Sequence, residues 1–173
     1  MKKGKRRAER VQIVHPFPPV YDARSRILIL GSFPSVKSRE AMFFYGHPRN
    51  RFWRVISAIY GEAFPETVPE RRELLLRCGI AAWDVIGSCE IAGSSDASIR
   101  FVRANDLRPI LASADIRAIY VNGQTAAKYY REYTQPLTGI EAVCLPSTSP
   151  ANAAWSLERL IGAWSVIRGD SAI

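Results

Sequence analysis

Residues 26–30 (RILIL) form a short apolar run that stops abruptly at Gly31-Ser32. A strand without polar alternation is one covered on both faces, which calls for a parallel sheet with helices packed above and below it. The run continues into a loop of small and aromatic residues, then into His47-Pro48-Arg49-Asn50, and then into a segment with helical periodicity. In open α/β sheets a strand end followed by an exposed loop and a helix start is where ligands bind. Phe43, Phe44 and Tyr45 are consecutive in that loop. They suggest a platform for a flat ligand, a nucleobase above all.

The rest of the chain repeats the alternation. A strand is expected at 26–31 and a helix at 48–60, with Pro48 at its first position and Phe52, Ile56 and Ile59 on one face. A second helix at 69–78 packs through Leu74 and Leu75 and ends at Gly79. A strand at 80–86 is followed by a small-residue loop, 87–98 (GSCEIAGSSDAS). A short helix near 105–112, a strand at 118–121, a helix at 124–133 and a strand at 141–145 come next. Ser147-Thr148-Ser149-Pro150 then opens a last helix to about residue 167, with Ser149 as N-cap and Pro150 at the first helical position. The expected fold is a single-domain three-layer α/β/α sandwich around a central, mainly parallel four-stranded sheet. The loops GSFPS, GSCEIAGSS, NGQT and PSTSPAN should converge at one edge of that sheet, and they hold nearly all of the unusual chemistry.

At 173 residues the chain suits one domain with a full core. We place a flexible basic tail at 1–12 and the domain at 13–173. The Pro-rich stretch His15-Pro16-Phe17-Pro18-Pro19 between tail and sheet should be extended. The net charge is +8, and six of the 24 basic residues lie in the first ten positions with one acid. Residues 11–173 therefore carry 18 basic against 15 acidic groups, a net of +3. Such a tail attracts a polyanion without specifying one, and a solvated terminus explains it equally well. Cys78, Cys89 and Cys144 are far apart and only two histidines are present, His15 and His47. No zinc or iron–sulfur spacing exists, so free thiols and no cofactor are expected. No apolar run approaches a membrane span and the N-terminus lacks a signal-peptide core, so a cytosolic protein is expected, nucleoid-associated if bacterial.

Three segments in order resemble the uracil-DNA glycosylase superfamily over about residues 25–168. LILGSFPS stands where that superfamily has its first motif, FFYGHPRNRFW is nearly the string of mismatch-specific uracil glycosylases, and STSPAN stands at the second motif. The closest branch is the hypoxanthine (deoxyinosine) DNA glycosylases. One departure is notable: the position two after the motif glycine, usually a catalytic Asn or Asp, is Phe33, which cannot orient water. In the hypoxanthine branch that role belongs to the Asn of the HPxN string, here Asn50. Ser147 likewise replaces a His or Asn of the second motif.

The resemblance implies a monofunctional glycosylase acting, as a monomer, on double-stranded DNA that contains a deaminated base. Breaking an N-glycosidic bond requires an extruded nucleotide, a positioned water below C1′ and hydrogen bonds to the departing base. Asn50 is the candidate that holds water, accepting from it through the carboxamide oxygen; the alternative is a polar residue of a first helical turn. Backbone N–H groups of Gly31, Ser32 and Phe33 are candidates for a base carbonyl, or simply a tight turn. Tyr45 aligns with the aromatic that stacks on the flipped base, with Phe44 as alternate. Asp84 would accept from the ring N–H of hypoxanthine, unless it is a structural carboxylate. Asn122 is either a reader of the base edge or part of an ordinary Asn-Gly turn. His47, Ser147, Thr148, Ser149, Pro150, Ala151 and Asn152 form the expected backbone-gripping and wedge loop. Ala151 is too small for a strong wedge, which leaves Asn152 or a neighbour. Lys37, the lysine in these loops, sits among Ser35, Ser38, Arg39 and Glu40 and looks solvated, so no Schiff-base chemistry is expected. Alternatives are a uracil or mismatch-specific glycosylase, a nucleoside hydrolase on small molecules, which would need a metal-binding Asp cluster, and a non-catalytic DNA- or nucleotide-binding module.

Overall fold

The computed structural model describes residues 9–173. The central sheet is parallel throughout and contains β2 (Ile27–Gly31), β3 (Ile80–Asp84), β6 (Ala118–Asn122) and β7 (Ala142–Leu145), in the order β3-β2-β6-β7. All five residues of β2 are buried, as the unbroken apolar run requires. Ile27 and Ile29 enter one core, with Phe52, Trp53 and Ile56 of α2 (Phe52–Tyr60), Leu74 and Leu75 of α3 (Val68–Arg77), Leu160 and Trp164 of α7 (Leu157–Trp164), and Ile167 of α8 (Ile167–Ser171). Leu28 and Leu30 enter the other, with Ile110 of α4 (Arg108–Ser113) and Ala126 of α5 (Gln124–Tyr129). The period-2 alternation of one strand thus serves two helical layers, and the three-layer sandwich stands. A short helix α1 (Val36–Ala41) follows β2, and α5 runs through a π turn, Tyr130–Thr134, into α6 (Gln135–Thr138).

A second sheet was not foreseen. β1 (Val11–Val14), β4 (Ile86–Ile91) and β5 (Arg100–Ala104) form an antiparallel ribbon with β4 in the middle. The expected strand 80–86 is really two strands divided at Val85, and the segment expected to be a loop from residue 87 stays extended to Ile91. Gly87 and Ser88 look like loop residues, but β4 is paired on both edges, which holds them extended. Val11 and Gln12, assigned to the tail, belong to β1; residues 1–8 of that tail lie outside the described residues.

Two helix starts also move. The first is at Phe52, because 48–50 form a turn closed by the Asn50 N–H on the His47 carbonyl (2.9 Å). The last is at Leu157, where the Ser156 hydroxyl accepts from the Arg159 N–H (3.2 Å). Ser149 and Pro150 therefore cap no helix, and no helix dipole meets a phosphate there. α3 ends as read, with Gly79, at φ +71°, closing the chain back towards Leu76; its start adds a reciprocal capping box of Thr67 and Glu70 that the sequence reading did not include.

Candidate functional site

The carboxyl ends of β2, β3, β6 and β7 open onto a cleft of about 960 Å³, a volume suited to a small ligand or an extruded nucleotide. The connection from the end of β2 runs to β3 on one side and that from the end of β6 runs to β7 on the other, so the strand order reverses between β2 and β6. Gly31, Ser32, Phe33, Phe44, Tyr45, His47, Asn50, Asp84, Asn122 and residues 147–152 all line this cleft. These candidates are therefore brought together, whereas Phe43 and Lys37 lie outside the cleft lining.

Asn50 is held at its oxygen. Oδ1 accepts from the Phe52 backbone N–H (2.9 Å) and from the Thr148 hydroxyl (2.9 Å). Because a backbone N–H can only donate, the capping atom must be the oxygen, and the amide orientation is fixed by its surroundings. Nδ2 makes no hydrogen bond among the described residues, so the nitrogen is the end left for a ligand. The oxygen expected to hold water therefore already accepts two hydrogen bonds from the protein.

Thr148 is completely buried. Its hydroxyl accepts from Asn122 Nδ2 (2.9 Å) while its backbone N–H donates to Asn122 Oδ1 (3.0 Å). A side chain without exposure cannot grip a DNA phosphate, so Thr148 is a brace for Asn50, and both polar ends of Asn122 are engaged with Thr148. Asn152, considered for the wedge, turns inward and donates to the Ser147 carbonyl (2.9 Å). The loop tip is left with the small, exposed Pro150, Ala151, Ala153 and Ala154. His47 uses Nδ1 to accept from the Arg49 N–H (3.0 Å), which shapes the turn ahead of Asn50.

Tyr45 adopts φ +50°, uncommon for a large side chain and a mark of constraint imposed by its surroundings. Its ring stacks on Phe52 at 3.9 Å between centroids. Its hydroxyl is buried near Asp84 and Asn122, yet has no hydrogen-bond partner among the described residues. Burial, reinforced by the Asp84 charge, raises its pKa, so it is a neutral donor awaiting an acceptor. Phe43 and Phe44 are core residues, with Phe44 only 2% exposed. The three-ring platform is therefore reduced to Tyr45.

Gly31 has a steric reason to be glycine. A Cβ there would lie 2.4 Å from Asp84 Oδ1 and 3.4 Å from the Tyr45 hydroxyl. Gly31→Ala is expected to displace the carboxylate and lower single-turnover activity about tenfold or more, with the fold retained; unchanged turnover would show that the Asp84 position is immaterial.

Three contributors escaped the sequence reading. The Arg51 guanidinium bonds the carbonyls of Ser149 (2.9 Å), Asn152 (3.0 Å) and Trp155, while its backbone N–H reaches the Thr148 carbonyl (3.1 Å). It staples the whole 148–155 loop to the start of α2. Trp155 lines the cleft with Arg159 stacked over its ring at 4.2 Å. His15 binds Asp84 from behind. The only available signal was an arginine next to the HPRN string and a histidine in a Pro-rich stretch. Cys78 and Cys89 are buried and Cys144 is exposed, all three as free thiols.

An open parallel sheet with a polar, aromatic cleft at its switch point is the architecture of a nucleotide-binding α/β protein. Residues 18–168 match the family described as Uracil DNA glycosylase superfamily, and the chain belongs to it. A protein from Methanosarcina acetivorans named Hypoxanthine DNA glycosylase is 35% identical over 148 residues, covering 83% of this chain and 90% of that one. A protein of the same name from Methanosarcina barkeri is 35% identical over 138 residues, covering 79% and 86%. A solution NMR structure of a Methanosarcina acetivorans protein, described as a candidate uracil DNA glycosylase, superposes with a TM-score of 0.76 at 32% identity, over 92% of this chain and all of that one.

Proposed function

We propose that this protein is a monofunctional DNA glycosylase of base excision repair that removes hypoxanthine from duplex DNA. The observation that carries this reading is the meeting of Asn50, Tyr45 and Asp84 in one cleft at the end of β2. The naming of its 35%-identical relatives points to the same base.

In this reading the damaged nucleotide rotates out of the helix into the cleft, and its base lies against Tyr45, a contact worth about 1–3 kcal/mol. Asp84 accepts from the ring N–H. Backbone N–H groups of residues 31–33 donate to the base as it gains negative charge. The bond between C1′ and the base nitrogen breaks with its electrons leaving on the base. Asn50 Nδ2 donates to one lone pair of a water whose other lone pair attacks C1′, and the water proton passes to solvent. The carboxamide positions without deprotonating, so this step needs no titrating group. Lys37 is exposed and paired with Glu40 (3.3 Å), and no lysine among the described residues lines the cleft, so this reading has no lyase step and yields an intact abasic site. The protein works as a monomer and without a cofactor in this proposal.

End-labelled duplexes with one inosine or one uracil, incubated with the protein and cleaved with alkali, test the proposal. Strand scission at inosine exceeding that at uracil is expected. Dominant uracil cleavage would favour the reading suggested by the description of the structural neighbour. Binding to both duplexes without scission would leave only a non-catalytic module.

A further inference from the structure

We propose that His15 is a positioning residue that donates to one oxygen of Asp84 and so leaves the other as an acceptor in the cleft, where it separates deaminated bases from their amino-bearing parents. The inference rests on the base-excision reading above.

His15 follows β1 and its backbone N–H is tied to the Gly87 carbonyl (2.7 Å). Its side chain is 3% exposed, within reach of the rings of Phe17, Phe33, Phe44 and Trp83 at 4.6–6.4 Å between centroids. Its polar contacts are two: Nδ1 lies 2.8 Å from the Phe17 carbonyl oxygen and Nε2 lies 2.7 Å from Asp84 Oδ2. A carbonyl oxygen only accepts, so Nδ1 carries a proton. A ring lone pair cannot face a carboxylate lone pair at 2.7 Å, so that contact holds a proton as well. In this proposal both ring nitrogens of His15 donate, Nδ1 to the Phe17 carbonyl and Nε2 to Asp84 Oδ2, and Asp84 accepts. The other titratable group set against Asp84 is Tyr45, a neutral phenol whose pKa is raised.

The second carboxylate oxygen, Oδ1, makes no hydrogen bond to the described residues, and Asp84 lines the cleft. Deamination converts the C–NH₂ and bare ring nitrogen of adenine or cytosine into the C=O and ring N–H of hypoxanthine or uracil. An accepting Oδ1 bonds that N–H and repels the lone pair of the parent base. A protonated Asp84 would donate instead and welcome the parent. The hydrogen-bonding role of Oδ1 therefore chooses the substrate class, and the His15 contact sets that role.

The test uses duplexes whose target nucleotide has a 2′-fluoro sugar that resists cleavage and carries either hypoxanthine or unsubstituted purine, which has the bare nitrogen and no carbonyl. The wild-type protein should prefer the hypoxanthine duplex about 10- to 100-fold. Asp84→Asn and His15→Leu should bring the two affinities within about threefold of each other, and His15→Gln, which keeps a donor but no charge, should fall between. Nitrogen NMR of the wild-type protein at neutral pH should show both His15 ring nitrogens protonated. An undiminished preference in a folded His15→Leu variant, or a singly protonated ring, overturns the proposal. Absence of scission at both inosine and uracil would instead sink the base-excision reading, while the ring-nitrogen spectrum would still report on the pair.

Discussion

Asn50→Ala should lower single-turnover excision by about 10²–10³-fold while leaving affinity for the lesion duplex within about threefold, because in the proposed mechanism the lost group positions water rather than binding DNA. The substitution has a structural cost too. It removes the acceptor of the Phe52 N–H and leaves the buried Thr148 O–H with no acceptor, while Asn122 still donates to that oxygen, together about 2 kcal/mol of stability. Asn50→Asp separates the two effects. A carboxylate still accepts from Phe52 and Thr148, so stability should return, but it has no N–H to offer the water. If the aspartate form recovers stability and not turnover, the nitrogen end does the work. If it recovers turnover as well, water is held by an acceptor, and the assigned orientation is wrong. Thermal melts and rapid-quench excision on the same samples decide between these outcomes.

Arg51→Met should be the most destabilising change at the site. The methionine keeps much of the aliphatic volume but frees the carbonyls of Ser149, Asn152 and Trp155 from their shared donor. Losing hydrogen bonds from a charged group to several partners costs about 3 kcal/mol, or roughly 6–12 °C in Tm for a chain of this size. The loss of order should concentrate in the 148–155 loop. Since Thr148 braces Asn50, excision should fall more than Tm alone explains. Arg51→Lys should rescue little, because one ammonium cannot span three carbonyls as the planar fork does. A melting temperature within about 2 °C of wild type would show that the loop holds itself.

Some of this was legible along the chain and some was not. The β2 run, the close of α3 at Gly79 and the gathering of strand-end loops depend on local periodicity and turn chemistry, and they appear as read. The assignment of Asn50, Tyr45 and Asp84 to a common cleft depended on the resemblance in GSFPS, HPRNRFW and STSPAN. The antiparallel ribbon was missed because β4 is rich in small and polar residues and is held extended by partners on both edges, not by its own propensity. The start of α7 was misplaced because Ser149-Pro150 has the composition of a helix start, whereas Arg51 pins that stretch in an irregular path.

The amino-acid order alone determined a parallel sheet with helices on both faces and a polar, aromatic rim at one end, since those follow from contacts between near neighbours. Only the tertiary structure decided which end of the Asn50 amide is free, that Thr148 is a buried brace, and that His15 stands behind Asp84. Those facts join residues 98 and 69 positions apart, respectively. No local pattern encodes such a meeting, because each partner is satisfied only when the packed sheet carries it to the other.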